Sequence, residues 1–230
     1  MNAAHYEILP RLRAWLLAGN SSKHDVLFES YKRRLFAGLH GTIMEIGPGT
    51  GANLRYLPPN VTWIGVEPNR CMHRYLHDAM KNFGVKGRIV ESCAETLPLA
   101  SGSVDMVLST LVLCSVCDLP QSLREIKRVL KPNGQFLFIE HVAAPRGTWL
   151  YRAQSLIRPF WRLLGDGCEP DRDIQPFIHD AKFGRVSVES FLLSQTYSLT
   201  QHHIIGCAVK IGEEAGHFSV QIGLPDAKVA

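Results

Sequence analysis

A glycine-rich turn carries the clearest chemical signal in the sequence. Gly47, Gly49 and Gly51 follow an apolar run at 42–46, and Glu45, within that run, lies two residues before Gly47. Glycine permits positive φ angles and lets the backbone approach a ligand closely. Where such a turn leads into a predicted helix, its amide groups can face a bound ligand. The spacing therefore predicts a cofactor-binding loop at the end of a strand.

An acidic residue ends the next predicted strand after this turn. Glu67 ends the next β-rich run, 61–67, sixteen residues after Gly51. A carboxylate at that position can accept two hydrogen bonds from ribose hydroxyls. Either feature alone could be a tight turn or a solvated strand end. Together they predict an adenosine-containing cofactor.

The same residues bear on which cofactor it is. Gly47, Gly49 and Ala52 also fit the dinucleotide fingerprint, which allows alanine at its third position. Gly51 is a glycine that this fingerprint does not require. The carboxylate of Glu45 would attract a cationic cofactor and repel a pyrophosphate. These points favour S-adenosylmethionine, and an NAD-dependent oxidoreductase is the alternative.

The elements that must position these residues follow an alternating pattern. Predicted strands lie at 42–46, 61–67, 88–91, 104–109 and 135–140, with predicted helices at 26–39, 68–80 and 118–130. Apolar strands that alternate with helices indicate a parallel sheet covered on both faces. The runs 185–191 and 203–210 then predict an antiparallel hairpin. We expect an α/β fold: a Rossmann-like, mostly parallel seven-stranded sheet with helices on both faces and a C-terminal antiparallel hairpin.

Composition limits the classes of protein that fit. The chain of 230 residues has 46% hydrophobic and 20% charged residues, a globular balance that disfavours disorder. Its net charge of +4 comes without a basic stripe, so we expect no nucleic-acid partner. The six cysteines need no disulfides in a chain of this length. We therefore expect a cytoplasmic protein.

The N-terminal apolar run is too short for a membrane anchor. Residues 8–18 contain Arg11 and Arg13, whereas a span needs roughly 20 apolar residues. We expect no signal peptide and at most a peripheral membrane contact through an amphipathic helix.

Taken in order, the motifs resemble those of class I S-adenosylmethionine-dependent methyltransferases. Residues 45–51 resemble their first motif and Glu67 their ribose-binding acid. Residues 94–98 and 103–105 resemble the adenine-side loop and fourth strand, and 124–134 the helix and turn before the fifth strand. Many of these enzymes have Asp where this chain has Cys93, so we expect a backbone contact near Ala94 to replace it. The resemblance implies a cofactor site formed by Glu45, Gly47, Gly49, Gly51, Asn53, Glu67, Pro68, Ala94, Glu95, Thr110 and Leu111.

A narrower resemblance is to the methyltransferase-like protein 7 group. It rests on the segments 51–53, 110–116, 140–143, 166–168 and 207–210. Members of that group are associated with S-methylation of alkyl thiols, which implies a small-molecule thiol as the acceptor. The animal members begin with a hydrophobic membrane-anchoring helix that we do not expect here. The resemblance implies an N-terminal helical segment at 1–40 that covers the site, a methyltransferase domain at 41–210 with a substrate lid at 141–182, and a tail at 211–230.

Candidates for the acceptor chemistry lie after the fifth strand. The thiolate is the nucleophilic form of a thiol, so a proton acceptor would help. His141 is placed at the carboxyl edge of the predicted sheet, where ligands bind in open α/β folds; a structural role in the loop is the other interpretation. Asp166 could act as a base or orient the substrate, although Asp166-Gly167 is also a turn dipeptide. Cys168 is a weaker candidate and is more often a small buried residue.

Two further patterns have competing interpretations. Cys114 and Cys117 form a CxxC pair without the second pair of a structural zinc site, so we expect no metal and favour a wall of the cofactor pocket. An arsenite methyltransferase is a remote alternative. The aromatic residues of the lid suit an apolar acceptor, but a helix core face is the simpler interpretation for Leu156, Phe160, Trp161 and Leu164.

Three hypotheses about function remain open from the sequence. The first is S-methylation of a thiol or another small molecule. The second is O-, N- or C-methylation of a natural product, lipid or quinone. The third is a non-catalytic module that binds S-adenosylmethionine. The oligomeric state is not predictable from the sequence.

Overall fold

One seven-stranded sheet forms the centre of the protein. A computed structural model describes residues 11, 14, 25–165, 167–193 and 199–212. Its strands are β1 (Thr42–Ile46), β2 (Thr62–Val66), β3 (Gly87–Val90), β4 (Val104–Thr110), β5 (Leu130–His141), β6 (Gly184–Leu192) and β7 (His202–Lys210). Their order across the sheet is β3-β2-β1-β4-β5-β7-β6.

The strand directions match the pattern predicted from the sequence. Strands β1 to β5 pair in parallel, whereas β7 runs antiparallel to both β5 and β6. The central strands are buried on both faces, which is why they read as continuous apolar runs. The expected Rossmann-like sheet and its C-terminal antiparallel hairpin are confirmed. Parallel strands end at the same edge of a sheet. The loops that follow β1, β2 and β4, after Ile46, Val66 and Thr110, therefore lie together at that edge.

Five helices accompany the sheet within the described residues. They are α1 (25–35), α2 (Arg70–Phe83), α3 (Leu119–Val129), α4 (Trp149–Leu164) and α5 (Gln175–Asp180). Side chains at the N-caps fix three of their starts: Asn69 accepts a hydrogen bond from the amide of Cys71, Asp118 accepts one from the amide of Gln121, and Thr148 accepts one from the amide of Tyr151. Such caps satisfy amides that have no partner inside the helix.

The helix expected directly after the glycine turn does not form. Residues Leu54–Tyr56 make only a short 3-10 helix. Two physical causes are visible. The side chain of Asn53, at the N-cap position, bonds to Glu45 and Thr110 and caps nothing. Pro58 and Pro59 then prevent a helical continuation, since proline lacks an amide hydrogen and restricts the residue before it.

Helix α4 differs from the predicted core-facing helix. Leu156 and Phe160 are 81% and 69% exposed, so the expectation that they belong to a core face is wrong. Trp161 packs against the main hydrophobic core instead, and the side chain of Leu164 lies outside the described set. A helical periodicity shows which residues share a face, but it cannot show which face meets the sheet.

The two ends of the chain fall mostly outside the description. Of the predicted N-terminal segment, Arg11, Ala14 and 25–35 are helical. Of the predicted tail, only Ile211 and Gly212 are described. Among the described residues, no helix combines the length and apolar character that crossing a membrane would require.

Candidate active site

The glycine turn sits at the carboxyl edge of β1 and is held by Glu67. Gly47, Gly49 and Gly51 have φ angles of 57°, 57° and 83°. A Cβ atom on Gly47 would lie 2.7 Å from Cγ2 of Val112, so the turn needs glycine there for space as well as for its backbone angle. The Glu67 carboxylate accepts hydrogen bonds from the amides of Gly49 (3.0 Å) and Asn69 (2.9 Å). Glu67 therefore fixes the turn, in addition to its predicted ribose contact.

Glu45 and Asn53 form a buried polar pair beneath the turn. Glu45 accepts hydrogen bonds from Asn53 Nδ2 at 2.8 Å and from Trp63 Nε1 at 2.9 Å. Burial raises the pKa of Glu45, and these two donors act in the opposite direction. The Oδ1 atom of Asn53 is buried and has no hydrogen-bond partner among the described residues. An unsatisfied buried acceptor is costly, so this atom suits a ligand that donates a hydrogen bond.

A cavity of about 290 Å³ opens on this pair. Of the predicted cofactor residues, Glu45, Gly47, Gly49, Asn53, Thr110 and Leu111 line it. Three lining residues that the sequence did not point to come from α1, namely Asp25, Phe28 and Lys32. No sequence motif marks these three residues as cofactor-binding, because only the docking of α1 brings them to the site.

Lys32 and Asp25 form an ion pair in the wall of this cavity. Lys32 Nζ lies 2.6 Å from Asp25 Oδ1, and each side chain is 5% exposed. The second carboxylate oxygen of Asp25 accepts hydrogen bonds from Arg55 (3.3 Å) and Tyr56 (3.2 Å). The pair thus joins α1 to the segment that follows the glycine turn.

The other predicted cofactor residues are not among those that line this cavity. Gly51 packs against Ala79, where a Cβ atom would come within 2.8 Å. Ala94 is buried, Pro68 is exposed, and Glu95 accepts hydrogen bonds from the amides of Cys117 (2.7 Å) and Asp118 (3.2 Å). Glu95 therefore ties the adenine-side loop to the start of α3.

A buried carboxylate that the sequence did not single out shapes the loop after β4. Glu140 is fully buried and accepts hydrogen bonds from Ser109 Oγ and from the amides of Val112 and Leu113. Burial raises the pKa of Glu140 to about 8. These bonds hold the loop in which Leu111 adopts a φ of 60° and meets the cofactor cavity. The sequence contained one indication of this role, namely that Glu140 is a charged residue within the apolar strand β5.

His141 faces the interior, not the cofactor cavity. Its Nε2 atom lies 2.9 Å from Cys168 Sγ, and its Nδ1 atom is buried without a partner among the described residues. The thiol of Cys114 also bonds to Cys168, and these contacts lower the pKa of the Cys168 thiol. His141 lines neither of the two cavities described here. Asp166, the second catalytic candidate, lies outside the described residues.

Comparisons with known proteins identify the family. A family described as "Methyltransferase domain" matches residues 44–138. The human thiol S-methyltransferase TMT1A is 37% identical over 83% of this chain and 79% of its own length. The human thiol S-methyltransferase TMT1B is 33% identical over 85% of each chain. The chain belongs to the methyltransferase-like protein 7 group of class I methyltransferases.

Solved structures agree with the fold of this methyltransferase. An S-adenosylmethionine-dependent methyltransferase from Thermotoga maritima aligns with a TM-score of 0.59 at 20% identity, covering 84% of this chain and 96% of that one. The methyl donor is S-adenosylmethionine and the acceptor is a small molecule. Asn53 Oδ1 suits the ammonium group at the amino-acid end of this cofactor, and Glu67 suits its ribose.

A second and larger cavity, of about 830 Å³, opens at the same edge of the methyltransferase sheet. Tyr151, Arg172, Phe191 and His203 contribute to its wall. The rings of His203 and Phe28 lie 5.1 Å apart, and Phe28 belongs to the wall of the cofactor cavity. A wall residue of the larger cavity is therefore in ring contact with a wall residue of the cofactor cavity.

Proposed function

We propose that this methyltransferase moves the methyl group of S-adenosylmethionine to the sulfur of a small thiol that binds in the larger cavity. The observation that carries the proposal is that a histidine, His203, lines this cavity and contacts the wall of the cofactor cavity. The names of the human relatives, both thiol S-methyltransferases, support sulfur as the accepting atom.

The tautomer of His203 suits it to receive a proton. Its Nδ1 atom lies 3.1 Å from the backbone oxygen of Gln201. A carbonyl oxygen can only accept, so Nδ1 carries the hydrogen and Nε2 of the neutral ring is the proton-accepting nitrogen. The wall around it is largely aromatic: the His203 ring stacks on Phe191 at 5.3 Å and meets Phe28 edge to face.

The proposed reaction balances as a single displacement. The bound cofactor supplies a methyl group on a positively charged sulfonium. The acceptor thiol gives its proton to His203 Nε2, and its sulfur forms a bond to the methyl carbon as the bond from that carbon to the cofactor sulfur breaks. The electron pair of the broken bond stays on the cofactor sulfur, which becomes neutral. The protein contributes alignment and exclusion of water, which supply much of the acceleration in such reactions.

His141 and Asp166 keep their predicted catalytic roles as hypotheses. The buried contact between His141 and Cys168 supports the structural interpretation of His141 more than the catalytic one. The lid at 141–182 is likewise a proposal, supported by Tyr151 and Arg172 in the wall of the larger cavity. We also propose a reducing, cytoplasmic setting, which the six free cysteines support.

A methyl-transfer assay tests the acceptor class. Labelled S-adenosylmethionine is offered with a panel of thiols, phenols, amines and lipids. We expect transfer to several thiols and little to the others. Transfer to phenols, amines or lipids alone would refute the thiol proposal and retain the methyltransferase. Cofactor binding without transfer to any acceptor would support a binding module.

Variants of three histidines test the proton acceptor. We expect His203→Gln to lower kcat/KM by about 100-fold, within the range of general-base catalysis. The loss should shrink for aryl thiols, which ionise more readily than alkyl thiols and need the base less. His202→Gln is the matched control, because His202 lines the same cavity one residue earlier. An equal loss for all thiols, or a larger loss in His141→Gln, would reject His203 as the proton acceptor.

A further inference from the structure

Three side chains with metal-binding atoms converge in the protein interior from separate parts of the chain. Cys114 belongs to the loop after β4, His141 ends β5, and Cys168 follows α4. Their Sγ, Nε2 and Sγ atoms all lie within 4.8 Å of one another. The three residues are 1%, 4% and 8% exposed. From the sequence Cys114 pairs with Cys117, whereas in the fold its partners are residues 27 and 54 positions further along the chain.

Only one of the two ring nitrogens of His141 has a hydrogen-bond partner among the described residues. The Nε2 atom of His141 lies 2.9 Å from Cys168 Sγ, but Nδ1 is buried with no partner among the described residues. A buried ring nitrogen without a partner costs about 1–3 kcal/mol. The Nε2 atom is therefore the ring nitrogen that faces a sulfur atom of the cluster, Cys168 Sγ.

The ligand set matches a thiolate-preferring divalent cation. Two cysteines and one histidine are a known zinc ligand set that leaves a fourth coordination position open. Zinc bonds of about 2.3 Å to sulfur and about 2.0 Å to nitrogen place tetrahedral ligand atoms about 3.5–3.8 Å apart. The 2.9 Å contact between His141 and Cys168 would therefore need to widen by less than about 1 Å. Two thiolates also cancel the charge of the ion, which limits the cost of burying it.

We propose that Cys114, His141 and Cys168 form a binding site for one thiolate-preferring divalent cation of the zinc class. Binding displaces the protons of the two thiols to solvent, and no oxidation or reduction occurs. The ion would cross-link the end of α4 to the loop after β4. That loop carries Leu111, a wall residue of the cofactor cavity, so the ion would stiffen the wall without touching the reacting atoms.

Cadmium titration of the reduced full-length protein tests the site. Cd²⁺ bound to thiolates absorbs in the ultraviolet, and this band reports binding independently of methyl transfer. We expect saturation at one ion per chain, and loss of the band in Cys114→Ser/Cys168→Ser. The matched control is Cys93→Ser/Cys117→Ser, which removes two exposed cysteines and should keep the band. No band in the wild type, or a band that follows the control pair, overturns the proposal.

Spectroscopy of the wild type covers the case in which the cysteine variants fail to fold. The X-ray absorption spectrum of the zinc-loaded protein should show two sulfur ligands near 2.3 Å and at least one nitrogen near 2.0 Å. A shell of nitrogen and oxygen alone would mean binding elsewhere, for example at other histidines, and would overturn the assignment. Circular dichroism of each variant separates lost binding from lost folding.

Discussion

At the scale of single residues, Glu67 holds the glycine turn, and we propose that it also binds the cofactor ribose. One of its carboxylate oxygens accepts a hydrogen bond from the amide of Gly49 and the other accepts one from the amide of Asn69, and a carboxylate oxygen can accept more than one hydrogen bond. The residue is only 6% exposed, so its bonds are protected from water. Loss of the carboxylate should therefore weaken cofactor binding both directly and through the turn.

We expect Glu67→Ala to lower the affinity for S-adenosylmethionine by about 1.5–3 kcal/mol, or about 10- to 150-fold in Kd, because hydrogen bonds to a charged group are lost. Isothermal calorimetry measures this change. Glu91→Ala is the control, since Glu91 follows the neighbouring strand β3 and forms an exposed salt bridge with Arg70. An unchanged Kd in a folded Glu67→Ala protein would reject the ribose role.

At the scale of elements, α3 anchors the loop on the adenine side. Arg128 donates to both carboxylate oxygens of Glu125, at 2.6 and 2.8 Å, and to the backbone oxygens of Leu97 and Leu99. Glu125 in turn accepts from the amide of Leu97. Glu125 and Arg128, three residues apart on α3, thus act as a clamp on the loop that holds Ala94.

The clamp should give stability a defined dependence on pH. The hydrogen bond from Arg128 keeps the pKa of Glu125 below its usual value of 4.5, against the effect of burial. A carboxyl group with a lowered folded-state pKa stabilises the fold above its unfolded pKa, and this contribution is lost as pH falls through the folded one. We expect Glu125→Gln to lower the free energy of unfolding by about 1 kcal/mol at neutral pH, after allowance for partial exposure.

Urea unfolding at several pH values measures that effect. The difference between wild type and Glu125→Gln should shrink below about pH 4.5 and vanish in stronger acid. Glu91→Gln, which breaks an exposed pair, should stay within about 0.5 kcal/mol of wild type throughout. A difference for Glu125→Gln that does not depend on pH would show that the clamp is not electrostatic.

At the scale of the whole molecule, α1 contains a buried ion pair between Asp25 and Lys32, and Asp25 links the helix to the rest of the protein by accepting hydrogen bonds from Arg55 and Tyr56. Removing one partner of such a pair strands a charge, which typically costs about 3–5 kcal/mol. We expect Lys32→Met to lower Tm by roughly 6–20 °C, given about 2–4 °C per kcal/mol for a protein of this size. Differential scanning calorimetry would measure this change in Tm.

The double variant Asp25→Asn/Lys32→Met separates charge from packing. Because neither charge remains, much of the lost stability should return. A double variant as unstable as Lys32→Met alone would show that the loss came from packing. Both variants also need a cofactor-binding measurement, since Asp25 and Lys32 line the cofactor cavity.

The sequence predicted those features that depend on local pattern. The five parallel strands, the hairpin and the glycine turn follow from apolar runs and glycine spacing, and the structure has them. The family resemblance implied that an N-terminal helical segment covers the site, but the residues of α1 that line the cavity could not be predicted, because an amphipathic helix does not specify its partner surface. The meeting of Cys114, His141 and Cys168 was missed for the same reason: it exists only once three distant segments pack together. The short helix after the turn was mispredicted because Asn53 bonds to Glu45 and does not cap.

The position of α1 has a consequence for how the cofactor comes and goes. Asp25, Phe28 and Lys32 form part of the cavity wall, so a bound cofactor contacts them only while α1 is docked. Cofactor binding therefore opposes detachment of α1. Deuterium uptake by the amides of 25–35 should then slow as the cofactor concentration rises, while uptake in α3 stays constant. If release of the demethylated cofactor limits turnover, the turnover rate equals the rate at which α1 detaches from the cavity. That rate, and with it kcat, should then fall as solvent viscosity rises.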